Sequence, residues 1–148
     1  MRPQLRASLL ASAALLSACS VIEPLHKVDI APVPKAPLES TTWQLIALDG
    51  ELQPEYNIPT LILNPAEQRA VGYGGCNRFF AGYTVKGQQL TLTAPGSTMM
   101  ACEPAAMKVE QRYLKDLPQI TRYHIDGDTL DMFVGDELRL RFRAKPAE

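Results

Sequence analysis

Alternation of apolar and polar side chains governs residues 42–143. Leu138, Leu140 and Phe142 alternate with Arg139, Arg141 and Arg143, and Leu90 and Leu92 alternate with Thr91 and Thr93. A period of two puts one set of side chains on a buried face and the other in water, as a half-buried strand requires. The same reading predicts strands over 42–48, 59–63, 69–73, 79–85, 90–93, 120–125, 130–134 and 138–143. In the fourth, Phe79, Ala81, Tyr83 and Val85 share a face. Turn pairs separate the runs: Asp49-Gly50, Asn64-Pro65, Lys86-Gly87, Asp126-Gly127 and Gly135-Asp136. After Cys102 the period changes. Ala106, Val109, Tyr113 and Leu117, with Leu114 beside them, recur at helical spacing between Glu103-Pro104 and Pro118. That predicts one amphipathic helix of about three to four turns. Trp43, the sole tryptophan, opens the first strand and is assigned to the core. The fold class expected is α+β: a mostly antiparallel, curled sheet or cracked β-barrel of about eight strands, with one α-helix between the fifth and sixth strands.

The first forty residues break this pattern. Arg2 and Arg6 precede an apolar run over 7–16, interrupted only by Ser8 and Ser12. The run is too short for a bilayer core, which needs about 20 residues, and it reads as an export signal over 1–18. Leu16-Ser17-Ala18-Cys19 resembles the lipobox of bacterial lipoproteins. The resemblance implies that Cys19 becomes the first mature residue and carries thioether-linked lipid and an acylated amine. Several acyl chains anchor far more firmly than one, at about 0.8 kcal/mol per buried CH2. Ser20, rather than Asp, follows the cysteine. For a Gram-negative source that implies an outer-membrane lipid anchor on the periplasmic face. Residues 19–40 then read as the lipidated cysteine and a proline-rich tether. Pro24, Pro32, Pro34 and Pro37 favour extended chain, with a reach of up to roughly 60 Å. His26, alone in this stretch, reads as solvated. A folded domain over 41–143 and a tail over 144–148 complete the organisation.

Composition narrows the function classes. The chain has 148 residues, 46% hydrophobic and 21% charged, as in ordinary globular proteins. Net charge is −1, and loss of Arg2 and Arg6 with the signal leaves 13 basic against 16 acidic residues, or −3. With no basic excess, nucleic acid is not an expected partner.

Two glycine- and cysteine-bearing stretches carry the family resemblance. Gly75-Cys76-Asn77-Arg78-Phe79, then Gly82-Tyr83, then Thr98-Met99-Met100-Ala101-Cys102 resemble the landmarks of the META domain. This is the family of the heat-shock protein HslJ and of many bacterial envelope lipoproteins. Trp43-x-Leu45 and Gly127-Asp128-x-Leu130 match further landmarks; Met99 stands where an arginine is common. The resemblance implies a cracked, mostly antiparallel barrel with one helix, a likeness to pilotin-type secretion lipoproteins, and a link to envelope stress and antibiotic tolerance. It brings no catalytic residues. Gly72-x-Gly74-Gly75 lacks the Lys-Ser/Thr of a P-loop, so its glycines read as supplying positive φ in a tight turn, with Asn77 bonding local backbone.

With Cys19 lipidated, Cys76 and Cys102 remain. In an exported, oxidising compartment they are expected to form a disulfide. Other readings stay open: a Cys76 nucleophile served by His124, two buried thiols, or a metal site short of ligands. The function expected is a non-enzymatic binding and envelope-maintenance domain, with Asn77, Arg78, Phe79 and Tyr83 as its candidate binding surface. No cofactor or metal is expected. The partners are the membrane, through the anchor, and an envelope protein, peptide or lipid. The alternatives are a cysteine-dependent enzyme using Cys76, and a structural protein that meets anionic lipid through the outward Arg139, Arg141 and Arg143.

Overall fold

The computed structural model describes residues 34–145 except Pro54. The signal expected over 1–18, the lipidation of Cys19, His26 and the tether through residue 33 lie outside the described residues.

Ten strands and one helix follow the chain. They are β1 (Trp43–Leu48), β2 (Glu51–Leu52), β3 (Thr60–Asn64), β4 (Arg69–Tyr73), β5 (Arg78–Lys86), β6 (Gln89–Leu92) and β7 (Gly96–Ser97), then α1 (Pro104–Asp116) and a 3-10 turn (Leu117–Gln119), then β8 (Arg122–Asp126), β9 (Thr129–Val134) and β10 (Glu137–Ala144). The eight longer strands are those the alternation predicts, and the helix falls between the fifth and sixth of them. β2 and β7 are two residues each, too short for a period of two to be visible.

All pairings are antiparallel, in the order β10-β9-β8-β6-β5-β4-β3-β1, and β1 also pairs β10, so the path returns on itself. Two joints are thin. β6 meets β8 through Gln89↔Arg122 alone, and β1 meets β3 through Trp43↔Leu61 and Gln44↔Thr60. The result is a curled sheet and not a regular barrel, which full ladders at every joint would require.

The helix plugs the sheet's concave side. Ala106, Glu110 and Tyr113 lie buried along α1, with Leu117 just beyond it. Tyr113 is fully buried, edge-on to Phe79 at 5.7 Å and to Phe142 at 6.1 Å between ring centroids. Such pairs add to simple burial. Its hydroxyl donates to the Thr60 carbonyl at 3.2 Å, and burial pushes the phenol well above its ordinary range. Trp43 is likewise sealed in, its indole N–H donating to the Leu38 carbonyl at 2.9 Å. Trp43, Leu61, Leu63, Leu90, Leu130, Met132, Leu140 and Phe142 are all fully buried. Among the described residues these side chains fill the interior of the sheet.

The chain joins the sheet earlier than residue 41. Ala36 N–H donates to the Gly127 carbonyl at 2.8 Å, and Ser40 N–H to the Leu63 carbonyl at 2.9 Å. Leu38 packs with the core, and the Tyr83 hydroxyl donates to Glu39 at 2.6 Å. Residues 36–40 therefore form part of the folded unit. Among the described residues no helix is long and apolar enough to cross a membrane.

Candidate functional site

The glycine-rich turn between β4 and β5 is a cradle for one carboxylate. Glu110, on the buried stripe of α1, points into it. Glu110 Oε2 accepts the backbone N–H of Cys76 at 3.1 Å and the backbone N–H of Asn77. Glu110 Oε1 accepts Nδ2–H of Asn77 at 2.8 Å. Consecutive backbone N–H groups converging on an anion form a nest. Charge-assisted bonds of this kind are the stronger ones. They answer the cost of burying a carboxylate that is only 9% exposed.

The glycines serve that cradle in two ways. Gly75 has φ +113°, the left-handed region that favours glycine. Gly74 is glycine for space: a Cβ there would stand 2.7 Å from Glu110 Oε2. Gly72 is more constrained still, since a Cβ would lie 2.0 Å from the Thr60 carbonyl oxygen. Positive φ thus explains Gly75, while close approach explains Gly72 and Gly74.

Asn77 links the turn to the second cysteine stretch. Its Oδ1 accepts the Thr98 hydroxyl at 2.9 Å and the Met100 N–H at 2.7 Å. Two residues on, Cys102 bonds Cys76, with S–S at 2.03 Å and Cα atoms 5.9 Å apart. The expected disulfide is present. It clasps the turn, residues 98–102 and the start of α1 together. The sulfur of Cys76 is used in that bond and presents no thiolate, so Cys76 is neither a nucleophile nor a buried free thiol. His124 lies exposed on β8, opposite Asp131 in register.

Other site residues fall in different places. Asn77, Phe79 and Tyr83 are 5%, 3% and 7% exposed. The expected binding surface is corrected accordingly. Asn77 is occupied in the clasp, Phe79 packs on Tyr113, and Tyr83 bonds Glu39, where burial and that carboxylate push its phenol well up. Only Arg78 of the four is on the surface.

The outward arginine stripe on β10 is also corrected. Arg139 pairs with Asp49 at 3.0 Å and Glu137 at 3.3 Å. Arg141 grips Asp131 with two bonds at 2.7 and 2.8 Å, and Arg143 reaches Asp128 at 3.7 Å. Carboxylates on β10 itself and on neighbouring elements thus pair with each arginine of the stripe. Asp49 also accepts Arg112 at 3.0 Å. Burial would raise the Asp49 pKa, but Arg139 and Arg112 outweigh it and hold the carboxyl below its ordinary value. Asp116, near this network, is shifted up by burial and by Asp49. Among the described residues no three His, Cys, Asp or Glu side chains are placed to hold a metal ion.

Sequence reasoning missed Glu110. The available signal was its place in the stripe Ala106–Glu110–Tyr113–Leu117, where an acid interrupts an apolar spacing of four, three and four.

A curled antiparallel sheet plugged by one helix, with a glycine turn clasped by sulfur to the helix entry, defines a fold class, and comparison places the chain within it. The META domain family model matches residues 36–147, and the chain belongs to the META domain family. One solved structure sharing the fold, described as the NMR structure of the protein from Burkholderia xenovorans, is 26% identical with TM-score 0.62, covering 80% of this chain and 94% of that one. A second NMR structure is 17% identical with TM-score 0.57, covering 72% of this chain and 90% of the other. No curated protein matches.

Proposed function

We propose that this protein is a lipoprotein anchored in the outer membrane, whose META domain holds a partner at the periplasmic face and catalyses no reaction. The single observation that supports this is the cysteine pairing. Cys76 and Cys102 are joined, a bond at home in oxidising compartments. That leaves Cys19, behind its lipobox-like tetrapeptide, as the one cysteine free for acylation. A filled interior and a clasp whose polar groups bond one another turn attention to the exterior as the working surface.

The test is metabolic labelling with an alkyne fatty acid, intact-mass analysis and density-gradient separation of membranes. The mature chain is expected to begin at a lipid-bearing Cys19, to sediment with outer membrane, and to lose label in the Cys19→Ala variant. An unlipidated mature chain, or one beginning elsewhere, refutes the anchor. Loss of tolerance to envelope-active antibiotics on deletion, restored by the native chain but not by Cys19→Ala, is the outcome expected for an envelope-maintenance role.

A further inference from the structure

The convex face of β3, β4 and β5 carries a row of apolar side chains that the interior does not need. Ile62 pairs with Val71, Val71 with Phe80, and Phe80 with Gly96. All lie on the opposite face from buried Leu61, Leu63, Ala70, Phe79 and Ala81. Phe80 is 51% exposed and lies over Gly96, where a Cβ would meet its ring at 2.7 Å. Past Gly96 the chain stays beside β5, with Thr98 N–H bonding the Arg78 carbonyl, and delivers Met99 and Met100, 98% and 63% exposed.

Two arginines flank this row. Arg69 lies two residues from Val71 along β4, and its guanidinium stands 5.3 Å from the centre of the Phe80 ring. Arg78 lies two residues from Phe80 along β5, on the opposite side of the row. Arg112, Arg122, Arg139, Arg141 and Arg143 each reach a carboxylate. Among the described residues, Arg69 and Arg78 reach none. A domain that neutralises its other described arginines and leaves these two beside an exposed apolar row calls for an anionic, partly apolar partner.

Two uncancelled guanidinium groups beside exposed apolar side chains favour an anionic membrane surface as that partner. Residues 39 and 40 dock on Tyr83 and Leu63. Leu63 lies next to Asn64, which pairs with Arg69, and Tyr83 N–H bonds the Gln68 carbonyl. The described chain first meets the fold at the β8–β9 turn, where Ala36 bonds Gly127, and then runs to the Arg69 end of this face. We propose that the β3–β4–β5 face, through Arg69, Arg78, Phe80 and Met99, docks on the anionic phospholipid headgroups of the membrane that anchors the protein. Guanidinium groups bind phosphate, and the aromatic and thioether side chains settle among the upper acyl carbons. The approach rests on the proposed anchor; the chemistry of the face does not. Held by a tether, the domain needs only weak intrinsic affinity to lie face-down.

The test uses the full lipidated chain in nanodiscs of phosphatidylcholine, with or without phosphatidylglycerol, containing a spin-labelled lipid. Amide relaxation is read by NMR. Expected is enhancement confined to the amides of Arg69, Val71, Arg78, Phe80 and Met99, strong in anionic discs and lost in neutral ones and at high salt. Each arginine is worth about fivefold at such a surface, so Arg69→Gln/Arg78→Gln lowers the equilibrium constant for lying face-down about 25-fold. Phe80→Ala moves it in the same direction, and unchanged shifts elsewhere confirm that the variants fold. Equal enhancement in neutral discs, enhancement on the β9–β10 face, or indifference to the double variant overturns the proposal. Shifts on these amides that need added envelope protein also overturn it and assign the patch to a protein partner. A chain without lipid on Cys19 refutes the anchor instead, and the same anionic-against-neutral comparison on that chain still tests the face.

Discussion

Glu110 offers the sharpest test of the clasp. The perturbation is Glu110→Gln, which keeps shape and removes charge and one acceptor. In the native fold two oxygens answer three donors: the N–H groups of Cys76 and Asn77 on Oε2, and the Asn77 amide on Oε1. Glutamine has one oxygen. If that oxygen takes the two backbone donors, its NH2 faces the NH2 of Asn77. Asn77 cannot turn over to relieve this, because its own oxygen already accepts Thr98 and Met100. One donor pair is left opposed, and two bonds lose their charge. A hydrogen bond to a charged group is worth about 1.5–3 kcal/mol and a stranded buried donor costs about 1–3 kcal/mol. The expected loss is about 3 kcal/mol, and somewhat more for Glu110→Ala, which strands all three donors. Domains of this size hold only about 5–15 kcal/mol.

Urea unfolding of the oxidised protein measures this. With a slope of about 1–3 kcal/mol/M, the midpoint should fall by roughly 1–3 M at constant slope. Hydrogen exchange should show the Cys76 and Asn77 amides losing protection beyond the global change. A loss below about 1 kcal/mol for both variants, with those amides still protected, would refute the claim that the turn is held by this carboxylate.

Three further outcomes follow from the same geometry. Cys76→Ser/Cys102→Ser should lower stability by about 3 kcal/mol, the chain-entropy value for a loop of this length, as read by denaturant unfolding; a change indistinguishable from zero would mean that the Asn77 bonds alone fix the loop. Gly72→Ala should cost about 3 kcal/mol or more, because β3 must retreat from the new Cβ, whereas Gly87→Ala, with open space at φ +59°, should cost about 1 kcal/mol in the same assay. Asp116→Asn should stabilise at neutral pH and lose its advantage below the ordinary Asp value of 3.8. The sign follows from the raised folded-state pKa: as pH rises from 3.8 the unfolded chain sheds this proton before the folded one, so native stability falls across that window and then levels off. Thermal unfolding of both proteins from acid to neutral pH checks it, and parallel curves would refute the assignment.

The interior was legible because burial imposes a period. Phe79, Ala81 and Tyr83 on one face of β5, and Leu140 and Phe142 on β10, follow from alternation alone, and the fold bears each of them out. The helix was legible at Ala106, Tyr113 and Leu117. Glu110 was passed over for a physical reason: the rule that reads apolar spacing as a buried face treats an acid as outward unless a partner is known. Its partners are backbone N–H groups more than thirty positions away, which no side-chain pattern reveals. The glycines of this turn were read by the rule for positive φ, which at Gly72 and Gly74 was the wrong physics, since a neighbouring atom, of Thr60 at the first and of Glu110 at the second, decides those positions.

The exterior was illegible for a related reason. Arg139, Arg141 and Arg143 announce themselves by strict alternation, while Arg69 stands in no pattern and Arg78 is marked only by its place in the Gly75–Phe79 landmark. Yet the availability of a charge depends on what the topology sets beside it. Pairing β10 with β1 and β9 brings Asp49, Asp131 and Asp128 to the first group. Pairing β4 with β5 brings the second group an apolar row with Phe80 in it and, among the described residues, no acid. A conspicuous stripe is thereby silenced and an inconspicuous pair left open. Among the described residues the nest already holds its own carboxylate, and those uncancelled charges are what the proposed docking would act on.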